Sequence, residues 1–178
     1  MYTRFWIFPL LFFPIQLGLS KRNYDINISK LDCRILQPNY ISLLECEIIR
    51  KRIPVVSSRF ILKEDIDKFN INATFYLIKK DNSRMSVAEF KMDGCRYLSS
   101  MYNNIMGRLF TRFKAVSNLP TSCPVPKGKL FEIRNYTFLA DEFPPGVPQA
   151  KWQVRTKLLT SSGPVVELLI DGSVVYNT

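Results

Sequence analysis

The chain has no histidine. That absence removes the base of a Ser-His-Asp or Cys-His nucleophile system. It also removes the usual side chain for a charge switch between pH 5 and 8. Cysteine is scarce, at four residues, and none stands in a C-x-x-C pair. With no imidazole either, a zinc site is not expected. Glycine is sparse, at seven, and forms no Gly-rich phosphate loop. There is no HExxH, no repeat, no low-complexity tract and no second domain. After the first twenty residues no apolar run is long enough to span a bilayer. Glu64, Asp65 and Asp67 are the nearest thing to a carboxylate pair for glycoside hydrolysis. They sit among Lys63 and Lys68 at a strand end, where a solvated charged turn accounts for them. No enzyme activity, metal or cofactor is expected.

The first twenty residues are read as a secretory signal. Arg4 gives a positive start, Phe5 to Leu17 is almost wholly apolar, and Gly18-Leu19-Ser20 supplies small residues for cleavage. A membrane anchor needs about 20 apolar residues, and Pro9 and Pro14 interrupt this shorter run. The expectation is a signal at 1–20 and a single domain at 21–178, secreted to the extracellular space. The full chain carries +10, of which Arg4 alone lies in the signal, so the remainder carries +9. Such an excess favours anionic partners, with a membrane surface or a receptor ahead of nucleic acid for a secreted chain. A monomer is expected.

An oxidising compartment turns Cys33, Cys46, Cys95 and Cys123 into two disulfides with three connectivities. The favoured set is Cys33–Cys46, tying two neighbouring strands, and Cys95–Cys123, closing a loop around a helix. Three sequons, at Asn27, Asn72 and Asn135, are read as N-glycosylation sites.

Residues 68–77 alternate cleanly. Phe69, Ile71, Ala73, Phe75 and Leu77 share one face; Lys68, Asn70, Asn72, Thr74 and Tyr76 share the other. Residues 151–158 repeat the pattern, with Trp152, Val154, Thr156 and Leu158 opposite Lys151, Gln153, Arg155 and Lys157. Weaker strands are read at 26–36, 41–50, 55–63, 84–93, 129–139 and 165–176, with turns at 37–39, 80–83 and 160–164. Eight short strands so punctuated predict a mostly β sandwich or barrel. One segment breaks the pattern. Leu98, Met101, Tyr102, Ile105, Met106, Leu109, Phe110 and Phe113 form one apolar stripe, which predicts a helix inserted at about 97–115. The loop Phe143-Pro144-Pro145-Gly146-Val147-Pro148 cannot be a central strand.

Asp93-Gly94-Cys95, an insert, then Ser122-Cys123-Pro124-Val125-Pro126-Lys127-Gly128 resembles a signature of the ML lipid-recognition proteins, which include ganglioside activators and sterol-transfer proteins. The strand through Tyr136, the Pro-rich loop at 144–148, the strand with Trp152 and the Ser161-Ser162-Gly163 turn are also similar. Cys33, Pro38-Asn39-Tyr40, Cys46, Ser117-Asn118-Leu119 and Cys123-Pro124 resemble a group of insect secreted proteins related to the gustatory CheA and CheB proteins. The resemblance implies a β-sandwich or cup of about seven or eight strands whose sheets part to hold an apolar ligand, without catalysis. It supports Cys95–Cys123. Many such proteins pair a cysteine of the last strand with one near the N-terminus. Here that strand reads Val166-Glu167-Leu168-Leu169-Ile170, which leaves Cys46 as the candidate partner of Cys33.

The expected function is therefore a carrier or presenter of a hydrophobic small molecule or lipid, with a place in chemosensation following from the resemblance. Its cavity is expected to be lined by Phe69, Ile71, Phe75, Leu77, Trp152, Val154 and Leu158 from the sheets. Met101, Ile105 and Met106 would line it from the helix, and Phe143 and Val147 would stand at its mouth. The alternative is an interaction module with a solid core, docking an acidic receptor or glycan through Lys151, Arg155 and Lys157.

Overall fold

A computed structural model describes residues 22–49, 53–99, 112–143 and 147–177. The signal segment and Met101, Ile105 and Met106 lie outside these residues. All eight strands appear: β1 (Tyr24–Ile35), β2 (Ile41–Ile49), β3 (Val55–Leu62), β4 (Asn70–Ile78), β5 (Arg84–Asp93), β6 (Leu130–Tyr136), β7 (Lys151–Thr160) and β8 (Gly163–Tyr176). They form two antiparallel sheets. The large sheet runs β1-β8-β7-β4-β5 and the small one β2-β3-β6. The fold is the expected two-sheet β-sandwich. Of the inserted helix, the structure describes only the two flanks. A short helix α1 (Gly94–Leu98) starts earlier than the stripe predicts, because the Asp93 carboxylate accepts from the backbone N–H groups of Cys95 and Arg96 at 2.8 and 3.0 Å. Residues 112–115 are helical again.

Cys33 is joined to Cys46 and Cys95 to Cys123. The first bridge differs from expectation in what it ties. β1 and β2 are neighbours in the chain, yet each belongs to a different sheet. Their bridge clips the two layers together along one side. The second fastens the start of α1 to the loop ahead of β6.

The core between the sheets gathers at two ends. Ile41, Leu62, Leu98, Val125, Phe131, Val165 and Val166 fill the end beneath α1 and the β7–β8 turn. Tyr24, Ile26, Ile28, Val56, Tyr136, Trp152 and Val174 fill the other. Gly172 of β8 is required there. A Cβ at that position would overlap the Trp152 ring and stand 2.6 Å from the Asn27 backbone oxygen, which cannot move aside. The acidic turn is structural. The Asp65 carboxylate accepts from the Lys127 backbone N–H at 2.7 Å, and Ile66 bridges Val125.

Two tyrosines of this interior set an alkaline limit on the fold. Burial pushes the Tyr97 phenol up to about 12. Burial, and then the charge of Glu142, also raises the Tyr136 phenol above its ordinary value. A free phenol ionises near pH 10, so the unfolded chain loses these protons first. The stability they contribute is complete below about pH 10 and is lost as pH climbs through the raised folded-state values. Absorbance at 295 nm followed beside far-ultraviolet circular dichroism should show these two phenols ionising only as the strands melt. Their full ionisation with the fold intact would refute this.

Candidate ligand-binding site

Alternation puts one apolar set of the large sheet toward the small sheet, and its cover thins from one edge to the other. On β1, Tyr24, Ile26 and Ile28 are buried, Tyr24 to 1% exposure, and only the far end at Ile35 is open, at 39%. On the central strands Ile71, Ala73, Trp152, Val166 and Val174 are buried, while Phe75, Leu77, Val154, Leu158, Leu168 and Ile170 pack toward the core clusters and are half-buried. On β5 the same face shows Met85 and Phe90 at 42% and 43% exposure. The small sheet has two strands fewer than the large one. With strands about 4.8 Å apart, that difference leaves about 10 Å of sheet width beyond its reach. The result is an apolar shelf that begins inside the sandwich and emerges along β5.

The seven sheet residues expected to line a cavity lie on this inner side, but they do not act as one group. Phe75 stacks on Trp152 with ring centroids 6.0 Å apart, and Leu77 and Val154 pack into the same cluster. Leu158 and Phe69 belong to the opposite cluster. Phe69 is pressed against Gly94, where a Cβ would overlap its ring, and its carbonyl accepts from the Gly94 N–H at 2.8 Å. Ile71 is buried between the ends. Phe143 and Val147 are half-buried against the Trp152 cluster, and the Val147 carbonyl accepts from the Tyr176 hydroxyl at 2.8 Å.

Met85, Ala88, Phe90 and Met92 complete the shelf and were not singled out by the sequence reading. They face Leu77, Phe75, Ala73 and Ile71 in register. A register shift between Phe75 and Tyr76 inserts Val87 as an extra residue, so the period of two fails within β5. Reading Met85 separately from Ala88, Phe90 and Met92 would have recovered the face.

The outer face of the large sheet carries the basic residues, and they are partly neutralised. Glu167 stands 3.6 Å from Arg155 and 3.9 Å from Lys157. Gln153 donates to Asp171 at 2.5 Å. A face balanced in this way attracts an acidic partner less than its lysines and arginines alone would.

At the Trp152 end lies a buried polar knot. Glu142, on the 3-10 turn Ala140–Glu142, pairs with Arg112. It also accepts from the Tyr136 hydroxyl and the Leu139 N–H, both at 3.2 Å. Nearby, a groove of about 980 Å³ opens between the start of β1 and the segments 53–54 and 138–141. None of the expected cavity residues lines it. Among the described residues no group of His, Cys, Asp and Glu could hold a metal ion, and no helix is long and apolar enough to cross a membrane.

Residues 71–154 match a family model described as a protein of unknown function, DUF1091. No curated protein matches the chain. Among solved structures the chain is similar to chicken MD-1 complexed with lipid IVa. The identity is 13%, over 86% of this chain and 98% of that one, with a TM-score of 0.40. It is also similar to a Niemann-Pick type C2 protein from Japanese carpenter ant. That identity is 16%, over 83% and 90% of the two chains, with a TM-score of 0.36.

Proposed function

We propose that this protein is a secreted, non-enzymatic carrier of a hydrophobic ligand, such as a lipid, a fatty acid derivative or a hydrocarbon-like compound. The ligand lies on the inner face of the large sheet. The observation that carries the reading is the exposure gradient: apolar side chains on central strands that face the other sheet and are nevertheless half-buried, continuing into exposed Met85 and Phe90. A filled sandwich would bury them all, and contiguous apolar surface left in water marks a binding site. Burying it against an apolar ligand gains about 25 cal/mol per Å². The signal-like N-terminus, the disulfides and the sequons support passage through the secretory pathway. A part in chemosensation is supported by the sequence resemblance alone.

Trp152 is the only tryptophan after the signal segment, and its ring stacks on Phe75 beside the shelf. Titrating the secreted protein with anthroyloxy-labelled stearate should give saturable energy transfer from Trp152. Phe90→Asp should weaken binding about tenfold or more, since a buried Phe is worth about 1.5–3 kcal/mol. Raised salt should leave binding nearly unchanged. Absence of saturable transfer would defeat the carrier reading.

A further inference from the structure

The groove beside β1 calls for an occupant of a different kind. Among the described residues β1 pairs only with β8, and no described strand pairs with its other edge along residues 25–29. Residues 24–29 all line the groove, inward-facing and outward-facing alike, which means that the strand presents its edge to it. The facing wall holds Ile53, Phe138 and Leu139, and Val175 stands at the rim. Ile53, Leu139 and Val175 are 54%, 39% and 44% exposed. A free strand edge beside exposed apolar side chains is a template for pairing with another chain.

All three residues of the sequon Asn27-Ile28-Ser29 belong to this groove, and Asn27 and Ser29 are exposed. The other sequons sit elsewhere. Asn72 is half-buried in the middle of the large sheet, in register with Lys91 and Lys157. Asn135 has a left-handed backbone, with φ of 54°, and its N–H donates to the Ser57 hydroxyl.

We infer that the groove is the seat of an N-linked glycan on Asn27, and that this glycan shields the free edge of β1 from self-association. The first sugar is amphipathic. Its ring C–H and acetyl methyl groups suit Phe138 and Leu139, while its hydroxyls suit Asp25, Asp141 and Asn177, which share the lining. A sugar rooted on the edge strand also occupies the space that an added strand would need. The inference shares with the carrier reading only passage through the secretory pathway.

The test uses the full chain secreted from insect cells. Glycopeptide mass spectrometry of the wild type should find Asn27 occupied. Asn27→Gln and Ser29→Ala each delete the sequon by a different residue. Both should shift protein from monomer to dimer or larger on size exclusion and raise bis-ANS fluorescence about twofold. Asn135→Gln should do neither. If the variants fail to be secreted, enzymatic deglycosylation of the folded wild type gives the same readings. Adding Leu139→Ser to Asn27→Gln should return the bis-ANS signal toward wild type, separating the groove from the ligand shelf. An unmodified Asn27, or deglycosylated protein as monomeric and dye-silent as the wild type, would overturn the inference. Sugar at Asn72 or Asn135 alone would overturn it while leaving the carrier reading intact.

Discussion

Replacing Glu142 with alanine should cost about 3 kcal/mol of folding stability. The residue is a carboxylate only 7% exposed at the Trp152 end of the sandwich. It answers three donors at once: the Arg112 guanidinium, the Tyr136 hydroxyl and the Leu139 N–H. Tyr136 is buried to 2%, so its hydroxyl has no water to turn to. A buried donor left without an acceptor costs about 1–3 kcal/mol. Losing one partner of a fully buried ion pair costs about 3–5 kcal/mol. The Arg112 side chain is 40% exposed, however, and solvent will soften that part of the loss. Glu142→Gln keeps an acceptor for Tyr136 or Leu139 and gives up the charge, so it should lose about half as much. Urea unfolding with an unchanged m-value is the measurement. An alanine variant within about 1 kcal/mol of the wild type would mean that the knot does not hold the 138–143 segment in place. Arg112 and Glu142 could not be paired from the sequence, because they are thirty residues apart with β6 between them.

The layers themselves were legible because most strands obey a simple rule. In β4 every second residue is apolar and in β7 every second residue but Thr156, over eight or more positions, and the structure places those sets inward, as the alternation requires. Turn residues at Gln37-Pro38-Asn39 and Ser161-Ser162-Gly163 set strand ends to within a few positions. What alternation does not reveal is which strand lies beside which. β1 and β2 are separated by five residues but belong to opposite layers, and β4 pairs with both β5 and β7. That order depends on contacts between residues far apart in the chain. The exposure gradient depends on it in turn, since it arises from a five-stranded layer facing a three-stranded one. Phe90 and Met92 therefore read as ordinary strand residues until their edge position is known. The same holds for Glu167, whose place between Arg155 and Lys157 comes from the β7–β8 register and reduces the charge of a face that the composition alone makes basic.

The second large effect concerns the edge on which the shelf emerges. β5 ends at Asp93, α1 begins at Gly94, and Cys95 fastens both to the loop carrying Cys123, 28 residues later. A loop of that length restrains the unfolded chain by about 3.5 kcal/mol in the chain-entropy model. The Cys95→Ala/Cys123→Ala double variant, which leaves no unpaired thiol to exchange, should be less stable by roughly that amount. For a domain of this size the melting temperature should fall by about 10 °C. The Cys33–Cys46 bridge closes a 13-residue separation, and its removal should cost slightly less, about 3 kcal/mol. The two deletions should differ in what else they disturb. Cys33–Cys46 clips β1 of the large sheet to β2 of the small one, at the edge away from β5. Cys95–Cys123 lies at the end of β5, the edge on which the shelf emerges. Loss of the second bridge should therefore weaken binding of labelled stearate at temperatures where the variant is still folded, and loss of the first should leave binding nearly intact. Equal effects of both deletions on binding would place the ligand away from β5, however large the loss of stability.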